Sequence, residues 1–315
     1  MGKELIMLAP VFKQMIWGGD RLGKEWGYDI PGERTGECWG ISAHENGDCI
    51  IVSEPYKGKT LSQLWKEAPE LFGQVNSDVF PLLIKIIDAK EDLSIQVHPD
   101  DAYAKEHEHG SLGKTECWYI LECKEGATLV VGHHAKTRSE MEDMIHQNRW
   151  SEFIREVPIK KGDFIQIDPG TLHAIKGGVM LLETQQNSDI TYRVYDYDRL
   201  SDGKPRPLHV KQSIDTITVP AKKVIDSVTH PVEPKTNEPQ ELIHNSFYTV
   251  NRLYVEGEAV LENANTFICV SVIEGEGLVD GQKIQKGSHF IIPANAGKKI
   301  FSGNMKVIYS TNGGK

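Results

Sequence analysis

Short runs of apolar and β-branched residues recur along the whole chain, and turn-forming Gly, Pro, Asp and Asn residues separate them. Alternating or β-branched character predicts strands, because successive side chains of a strand point to opposite faces. Many short strands at this spacing favour an antiparallel sandwich or barrel over a parallel α/β sheet. The predicted strands cover residues 48–54, 93–99, 117–123, 127–132, 164–169, 190–197, 266–273 and 289–293.

Two segments in the first two-thirds of the chain have the features of helix starts. The sequence TLSQ at 60–63 is a capping box, in which a Thr side chain and a Gln three residues later satisfy free backbone N–H groups. It predicts a helix that ends near Gly73. The sequence TRSE at 137–140 repeats the pattern and predicts a second helix, whose apolar residues continue to Ile154.

An internal repeat relates the two ends of the chain. Residues 118–131 and 160–175 resemble residues 270–281 and 285–300. Each copy contains a strand, an acidic Gly turn, a second strand, then Lys-Gly, an apolar strand and a Pro turn. The GEG sequence at 275–277 has the composition of a hairpin turn. Such a repeat predicts two related β-sandwich units.

A proline-rich stretch separates these two units. Residues 219–240 contain four prolines and few aliphatic residues, which is typical of a linker. A long edge excursion of one continuous fold is the alternative. We therefore predict a first domain over residues 1–218, with helical insertions, and a second over residues 241–315.

The polar residues distinguish the two copies of the repeat. When the copies are aligned, Ile268 stands opposite Glu116, and Gly297 stands opposite His173. The second copy has kept the strands and lost the polar positions, so we expect chemistry only in the first unit.

Composition restricts the class of protein. Of the 315 residues, 39% are hydrophobic and 25% are charged, which is ordinary for a globular protein and excludes wholesale disorder. The net charge of −10 gives no general attraction for nucleic acid or anionic lipid, so we expect neither as a partner. An anionic substrate would need a local basic pocket.

Targeting and redox signals are also sparse. No segment approaches the roughly 18 apolar residues of a membrane span, and we predict a soluble protein without a signal peptide. The five cysteines are an odd number without CxxC spacing, which favours a reducing cytoplasm over a disulfide framework. No phosphate-binding GxxxxGK[ST] motif, GxGxxG motif after a strand, or GxSxG nucleophile motif occurs in the chain.

One predicted strand could place metal ligands together. In LSIQVHP (93–99), Gln96 and His98 share one face, and the apolar residues next to them share the other. Glu116 begins a later apolar strand, and His173 follows the DPG turn at the end of another. An amide oxygen, two imidazoles and a carboxylate form a mixed site that suits Zn²⁺ or another divalent transition ion.

The pattern alone is also compatible with side chains that bind no metal. Gln-x-His is a weak signal, and a histidine on a strand is often an exposed or hydrogen-bonded residue with no ligand role. The other histidines of this region are poorer candidates, because two lie in a very polar stretch and two follow Gly132 in a predicted turn: His107, His109, His133 and His134.

Six short motifs follow one another along residues 10–215: IWGG (16–19), GECWGISAH (36–44), QVHPDD (96–101), GKTECWYI (113–120), DPGTLHAI (168–175) and QQNSDITYRVYDYDR (185–199). In sequence and order they resemble the type I mannose-6-phosphate isomerases, a family with the cupin fold. The resemblance implies a mainly β protein of two cupin-like (jelly-roll) β-sandwich units, with short helical insertions in the N-terminal part. The C-terminal unit resembles only a degenerate cupin.

The resemblance also implies a ligand set and roles for three further residues. One zinc ion per chain would bind at the family's ligand positions, which here are Gln96, His98, Glu116 and His173. Arg193 resembles the catalytic arginine of the family, and Lys114 its active-site lysine. Glu183 matches an acidic residue proposed there for proton transfer.

Each of these three residues has an alternative in ordinary ion pairing. Glu183 could be a strand-end carboxylate in a salt bridge. Arg193 and Lys114 could pair at the surface with nearby carboxylates, namely Asp189, Asp196 and Asp198.

The implied reaction interconverts mannose 6-phosphate and fructose 6-phosphate through an enediolate, whose negative charge a divalent cation can stabilise. The expected partner is therefore a small sugar phosphate. The rival functions are another metal-dependent cupin enzyme of the oxygenase type and a non-catalytic sugar-phosphate-binding cupin. The oligomeric state stays open, and a monomer is compatible with the sequence.

One departure from the longer members of the family concerns an insertion. Those members carry a large helical insertion between the third and fourth ligands, whereas only 56 residues separate Glu116 from His173 here. The chain resembles a short bacterial form, so no lid can be carried over from longer relatives.

Overall fold

The computed structural model describes residues 4–73, 75–201, 203–263 and 265–313. Antiparallel strands are the main regular secondary structure of this part of the chain, and the helices between them are short. The prediction of a mainly β protein is therefore confirmed. None of the helices in the described ranges has the length and apolar character of a membrane span.

The helices lie between residues 21 and 216 and are α1 Arg21–Lys24, α2 Leu61–Glu67, α3 Asp101–His107, α4 Arg138–His146, α5 Trp150–Phe153 and α6 Val210–Thr216. The strands of the first half are β1 Ile6–Ala9, β2 Val11–Gln14, β3 Thr35–Ile41, β4 Ala43–His44, β5 Gly47–Asp48, β6 Ile50–Ile51, β7 Leu82–Asp88, β8 Ile95–Val97, β9 Glu116–Glu122, β10 Thr128–His133 and β11 Ile154–Pro158. The remaining strands are β12 Phe164–Ile167, β13 His173–Ala174, β14 Met180–Gln186, β15 Tyr192–Tyr195, β16 Leu200–Ser201, β17 Lys204–Pro205, β18 Val228–Thr229, β19 Gln240–His244, β20 Tyr248–Asn263, β21 Ile268–Val279, β22 Gln282–Gln285, β23 His289–Ile292 and β24 Gly297–Asn312.

Three large sheets are stacked in layers. A five-stranded sheet has the order β11-β10-β13-β8-β15, and a seven-stranded sheet has the order β18-β12-β9-β14-β7-β3-β2. These two sheets enclose one hydrophobic core. The other face of the seven-stranded sheet packs on an eight-stranded sheet of order β19-β20-β24-β21-β23-β1-β6, in which β22 also pairs with β21.

Strand β9 shows how the sequence builds these layers. Cys117 and Tyr119 pack toward the eight-stranded sheet, whereas Trp118 and Ile120 pack toward the five-stranded sheet. Side chains of a strand alternate between faces, so Glu116 lies on the same face as Trp118. The carboxylate of Glu116 is therefore directed between the two sheets of the first unit.

The predicted helix starts are confirmed, and both predicted ends are wrong. Helix α2 begins after Thr60, where both halves of its capping box are present, but it ends at Glu67 rather than near Gly73. The residue before a proline is disfavoured in helical conformation, and a short 3₁₀ helix begins at Pro69 instead. Helix α4 begins after Thr137 but ends at His146. Ile154 belongs to β11 instead, because Asn148 has a φ of 54° and turns the chain out of the helical path. The sequence did not predict the other helices.

The internal repeat is visible in the strand pairing. In the first copy β9 pairs antiparallel with β12, and Glu116 lies opposite Ile167. In the second copy β21 pairs antiparallel with β23, and Ile268 lies opposite Ile292. The predicted hairpin turn at 275–277 is wrong. This segment lies inside β21, next to an irregularity of the pairing with β24, and the chain reverses after Val279 instead.

Strand pairing crosses the predicted domain boundaries at two places. Strand β1 pairs with β23, which joins the N-terminal segment to the eight-stranded sheet. Within the predicted linker, β18 pairs with β12 at the edge of the seven-stranded sheet, and Val228 is buried there. The division into residues 1–218, 219–240 and 241–315 stays a prediction.

Candidate metal centre

The two sheets of the first unit bring the four predicted ligand side chains to one place. Gln96 at the centre of β8 lies opposite His173 of β13 on one side and opposite Arg193 of β15 on the other. His98 follows β8, and Glu116 begins β9 on the facing sheet. Residues that are 77 positions apart in sequence, such as Gln96 and His173, therefore become neighbours.

The carboxylate of Glu116 lies between the two imidazoles. Its Oε2 atom is 3.4 Å from His98 Nε2, and its Oε1 atom is 3.4 Å from His173 Nε2. One potential ligand atom from each of these three residues lies within 4.8 Å of the others. All three side chains are almost completely buried. This spacing leaves room for one ion between them.

Backbone carbonyls set the tautomer of both histidines. His98 Nδ1 lies 2.8 Å from the carbonyl oxygen of Ile190, and His173 Nδ1 lies 2.9 Å from that of Thr171. A carbonyl can only accept, so both Nδ1 atoms carry the proton. Both Nε2 atoms then carry a lone pair and lie beside Glu116, as in many metal sites. That of His98 has no hydrogen-bond partner, whereas that of His173 lies 3.2 Å from Gln96 Nε2.

The ligand atoms lack the partners that buried polar groups require. His98 Nε2 and both carboxylate oxygens of Glu116 are buried without a hydrogen-bond partner, and only the ion pair of Glu116 Oε2 with Lys114 compensates part of this charge. Leaving such groups unpaired is costly, and a divalent cation would satisfy all of them together. Two imidazole nitrogens and a carboxylate form the nitrogen and oxygen donor set of Zn²⁺ and related ions. The residues present therefore fit a metal ion.

Burial and local charge keep these groups in their ligating forms. Burial lowers the pKa of His98 to about 3 and also lowers the pKa of His173, so both imidazoles are neutral at pH 7. Burial alone would raise the pKa of Glu116. The nearby Lys114 ammonium, at 3.0 Å, outweighs this effect and holds the pKa of Glu116 well below its usual range.

The fourth predicted ligand is oriented differently. Gln96 Nε2 lies 3.2 Å from His173 Nε2, and Gln96 Oε1 accepts a hydrogen bond from Ser94 Oγ at 3.3 Å. The amide therefore presents its nitrogen to the centre. Its oxygen could reach an ion only after the amide group rotates by half a turn.

A second charged cluster lies beside the ligands on the seven-stranded sheet. Lys85 Nζ lies 3.3 Å from Glu183 Oε2 and 3.8 Å from Glu37 Oε2. The indole N–H groups of Trp118 and Trp39 donate to Glu183 and Glu37, at 3.0 and 2.6 Å. Glu183 does form a salt bridge, but it lies in the middle of β14 rather than at a strand end.

This cluster shifts the proton affinity of its members. Burial raises the pKa of Glu183, and the charge of Glu116 raises it further. Burial alone would lower the pKa of Lys85, but the carboxylates of Glu37, Glu183 and Glu116 outweigh this effect and raise it. Lys85 therefore stays a cation, and Glu183 is more easily protonated than an ordinary carboxylate.

The alternative of surface pairing for Arg193 and Lys114 is wrong. Lys114 is buried and pairs with Glu116. Arg193 forms no ion pair within the described residues. Its Nη1 donates to the carbonyl of Pro207 at 2.9 Å, and its buried Nε has no partner. Asp196 pairs instead with two other arginines.

A cavity of about 410 Å³ opens next to these groups and lies between the two sheets. Although the chain is acidic overall, the cavity lining includes five cationic side chains, which are Lys13, Lys85, Lys114, Arg193 and Arg206. Such a lining is the local basic pocket that an anionic substrate needs. Gln96 and Glu183 also line this cavity.

Sequence reasoning missed several residues of this lining. Lys85 is a charged residue in the middle of the apolar strand LLIKIID, and such a residue requires a buried partner. Glu37 and Trp39 alternate within β3 and share one face. These two patterns in the sequence could therefore have identified Lys85, Glu37 and Trp39 as cavity residues. Arg206 and His209 carry no comparable signal, because they lie outside any regular apolar pattern.

The other histidines have no ligand role in this arrangement. His107 ends α3 and is largely exposed. His133 is buried at the end of β10 rather than in a turn, and its Nε2 donates to the carbonyl of Thr218 at 3.0 Å.

Comparison with known proteins gives consistent matches over nearly the whole chain. Residues 5–119 match the family model described as phosphomannose isomerase type I, catalytic domain, and residues 239–312 match mannose-6-phosphate isomerase, cupin domain. Mannose-6-phosphate isomerase ManA of Bacillus subtilis is 46% identical over 316 residues, which cover 98% of this chain and 99% of ManA. Mannose-6-phosphate isomerase of Streptococcus mutans is 44% identical and covers 98% of both chains.

The same likeness holds for the fold. The crystal structure of the mannose 6-phosphate isomerase from Bacillus subtilis superposes with a TM-score of 0.87 at 45% identity, and covers 97% of this chain and 99% of the other. Together with the match of the C-terminal strands to a cupin domain, this confirms the predicted cupin-type fold.

Proposed function

Because the chain belongs to the mannose-6-phosphate isomerase family, we infer that it interconverts mannose 6-phosphate and fructose 6-phosphate as a metal-dependent aldose–ketose isomerase. The observation that carries this inference is the meeting of three features at one cavity and directly beside it. A buried set of metal-ligand atoms, a buried carboxyl group of raised pKa and several cations lie side by side. Nothing in the site favours an oxygenase or a silent binding protein.

We propose that the metal is one Zn²⁺ per chain, held by His98, Glu116 and His173, with Gln96 as a fourth ligand after rotation of its amide. The two neutral imidazoles and the buried Glu116 carboxylate, which has no hydrogen-bond partner, support this assignment. When bound there, the ion would supply Lewis-acid stabilisation for negative charge on the substrate oxygens.

Glu183 is our candidate for the proton transfer between carbon atoms. Its carboxylate would take the C2 proton of the open-chain aldose, which leaves an enediolate, and would return a proton to C1, which gives the ketose. The proton on the C2 oxygen moves to the C1 oxygen in the same conversion, so no atom or electron is gained or lost. A carboxyl group with a raised pKa suits both directions of transfer.

Cationic residues would hold the anionic parts of the substrate. Arg193 lines the cavity, keeps a buried Nε without a partner and has a guanidinium group that suits a phosphate or a developing oxyanion. Lys114 supplies a second charge near the same ligands. We propose both as substrate-binding cations.

We also propose a cytoplasmic location. All five cysteines are free thiols, and four of them are buried: Cys38, Cys49, Cys117 and Cys269. A reducing compartment preserves such thiols.

The decisive experiment measures conversion of mannose 6-phosphate to fructose 6-phosphate by the purified chain, before and after chelation and after addition of zinc. We expect turnover that the chelator removes and zinc restores, with one zinc per chain by elemental analysis. Absence of turnover by protein that holds a full equivalent of metal would overturn the isomerase assignment. Restoration by another divalent ion but not by zinc would overturn only the choice of metal.

A further inference from the structure

A short hairpin reaches across the edge of the substrate cavity. Strands β4 and β5 form this hairpin, and its turn carries Asn46. Asn46 Nδ2 donates a hydrogen bond to Asp189 Oδ2 at 2.6 Å. The two residues are 143 positions apart, and Asp189 belongs to the loop that joins β14 to β15.

A second side chain of the hairpin faces the same carboxylate. His44 Nε2 lies 3.5 Å from Asp189 Oδ1. His44 Nδ1 accepts the backbone N–H of Asn46 at 3.1 Å, so the ring proton lies on Nε2, toward Asp189. Both oxygens of Asp189 are therefore directed at donors from one hairpin.

The hairpin rests on residues of the cavity itself. The His44 ring meets the Trp39 ring edge-on, with centroids 5.7 Å apart. Gly47 packs so closely on Trp39 that a Cβ at this position would lie 2.7 Å from the indole. Lys13 donates to the carbonyl of Asn46. Trp39 and Lys13 both line the cavity, so the hairpin position is tied to the cavity wall.

Asp189 connects the hairpin to a proposed metal ligand. The next residue, Ile190, accepts the Nδ1 proton of His98 through its carbonyl. Displacement of Asp189 would therefore disturb the hydrogen bond that orients His98.

The contact between the hairpin and Asp189 also lies between two cavities. Asp189 lines both the cavity of about 410 Å³ and a neighbouring cavity of about 720 Å³. Asn46 lines the first of them, and His44 lines the second. Loss of the contact would join the two spaces.

We propose that Asn46 is a positioning residue for the isomerase reaction, and that its hydrogen bond to Asp189 latches the hairpin over the substrate cavity. This inference rests on the proposed function. The latch holds one side of the cavity wall in place beside the sugar phosphate, and it fixes the loop that orients His98. Asn46 itself need not touch the substrate.

The test exchanges donor and acceptor across the latch. Asn46→Asp is nearly isosteric but sets two carboxylates against each other, so we expect kcat/KM to fall about tenfold or more, mainly through KM. In Asn46→Asp with Asp189→Asn, the amide at position 189 donates to the carboxylate at position 46. We expect this double variant to return to within about threefold of the wild type, since the hydrogen bond is restored.

A second readout is independent of turnover. Amide hydrogen exchange of residues 42–49 should be about tenfold faster in Asn46→Asp and return to the wild-type rate in the double variant. Asn304→Asp adds the same charge on an exposed residue of β24 and should leave both readouts unchanged.

The outcomes separate the latch from the function. If Asn46→Asp shows wild-type exchange and an unchanged KM, the latch is overturned. It is also overturned if the double variant is no better than Asn46→Asp. If the wild type fails to convert mannose 6-phosphate but the exchange pattern follows the latch, the proposed function fails and the hairpin contact stands.

Discussion

Lys85 on β7 lies directly opposite Glu183 on β14, with its ammonium nitrogen 3.3 Å from Glu183 Oε2, and both residues are at most 5% exposed. This cross-strand pair joins the charged cluster of the cavity to the centre of the seven-stranded sheet. The position of Glu183, which we propose as the proton carrier, therefore depends on a buried countercharge.

The pair predicts a strong coupling in stability. Lys85→Met leaves the buried carboxylates of Glu183 and Glu37 without their cation, and we expect a loss of about 3–5 kcal/mol in the free energy of unfolding. Adding Glu183→Gln to this variant removes one of the two unpaired carboxylates and should recover part of the lost free energy of unfolding. Urea unfolding of both variants and of Glu183→Gln alone measures the coupling. Equal stability of the single Lys85 variant and the double variant would contradict the pairing.

The proposed ligands predict a joint loss of metal and activity. His98→Ala removes one of two neutral imidazoles, so we expect less than about one-tenth of an equivalent of bound zinc after dialysis, and no isomerisation. Elemental analysis and the isomerase assay check this expectation. His107→Ala, at an exposed histidine on α3, should retain both metal and activity. Full turnover by metal-free His98→Ala would remove the site assignment.

A buried histidine far from the metal centre predicts a pH dependence of stability. His289 lies among Tyr28, Ser271 and Cys38, and burial lowers its pKa to about 4. An unfolded histidine has a pKa of about 6.5, so between these values the unfolded chain binds a proton that the folded chain does not. Stability from this residue is thus complete above pH 6.5 and is lost as the pH falls toward 4.

The size of this effect follows from the two pKa values of His289. Between pH 7 and pH 4.5, the residue should account for a loss of about 2.5 kcal/mol in the free energy of unfolding. His289→Gln keeps polar atoms at this position but does not titrate. Over the same pH range, the free energy of unfolding of this variant should therefore fall by about 2.5 kcal/mol less than that of the wild type. Guanidinium unfolding at both pH values measures the difference. Equal pH dependence of the variant and the wild type would show that His289 titrates normally.

The IWGG motif predicts a steric requirement. A Cβ at Gly18 would lie 2.4 Å from the carbonyl oxygen of Arg34 and 2.5 Å from the backbone nitrogen of Gly36. Backbone atoms cannot move away without breaking local pairing, so we expect Gly18→Ala to lose about 1–3 kcal/mol or more. At Gly32 a Cβ would meet only the flexible side chain of Gln14, at 3.3 Å, and Gly32→Ala is the control.

Thermal unfolding compares the two glycine variants. We expect a clear decrease of the melting temperature for Gly18→Ala and a change of only a few degrees for Gly32→Ala. If both variants melt together, close packing is not the reason for the glycine in this motif.

Local patterns predicted much of the fold. The patterns in LSIQVHP (93–99) and CWYILEC (117–123) placed strands β8 and β9 within a residue or two, because the two faces of a strand need different side chains. The Thr60 capping box marked the start of α2, since both of its hydrogen bonds lie within four residues. The end of α4 was not predictable in this way, because it depends on one residue with a left-handed conformation, Asn148.

The sequence by itself determined which residues are able to act as ligands and on which face of their strands they lie. Only the tertiary structure decided which distant residues and strands contact one another. It places Lys85 opposite Glu183, Asn46 against Asp189, and β1 in the sheet of the C-terminal strands. The physical reason is distance along the chain. Alternation and capping involve neighbours within a few residues, whereas strand register and layer packing bring together residues that no local pattern relates.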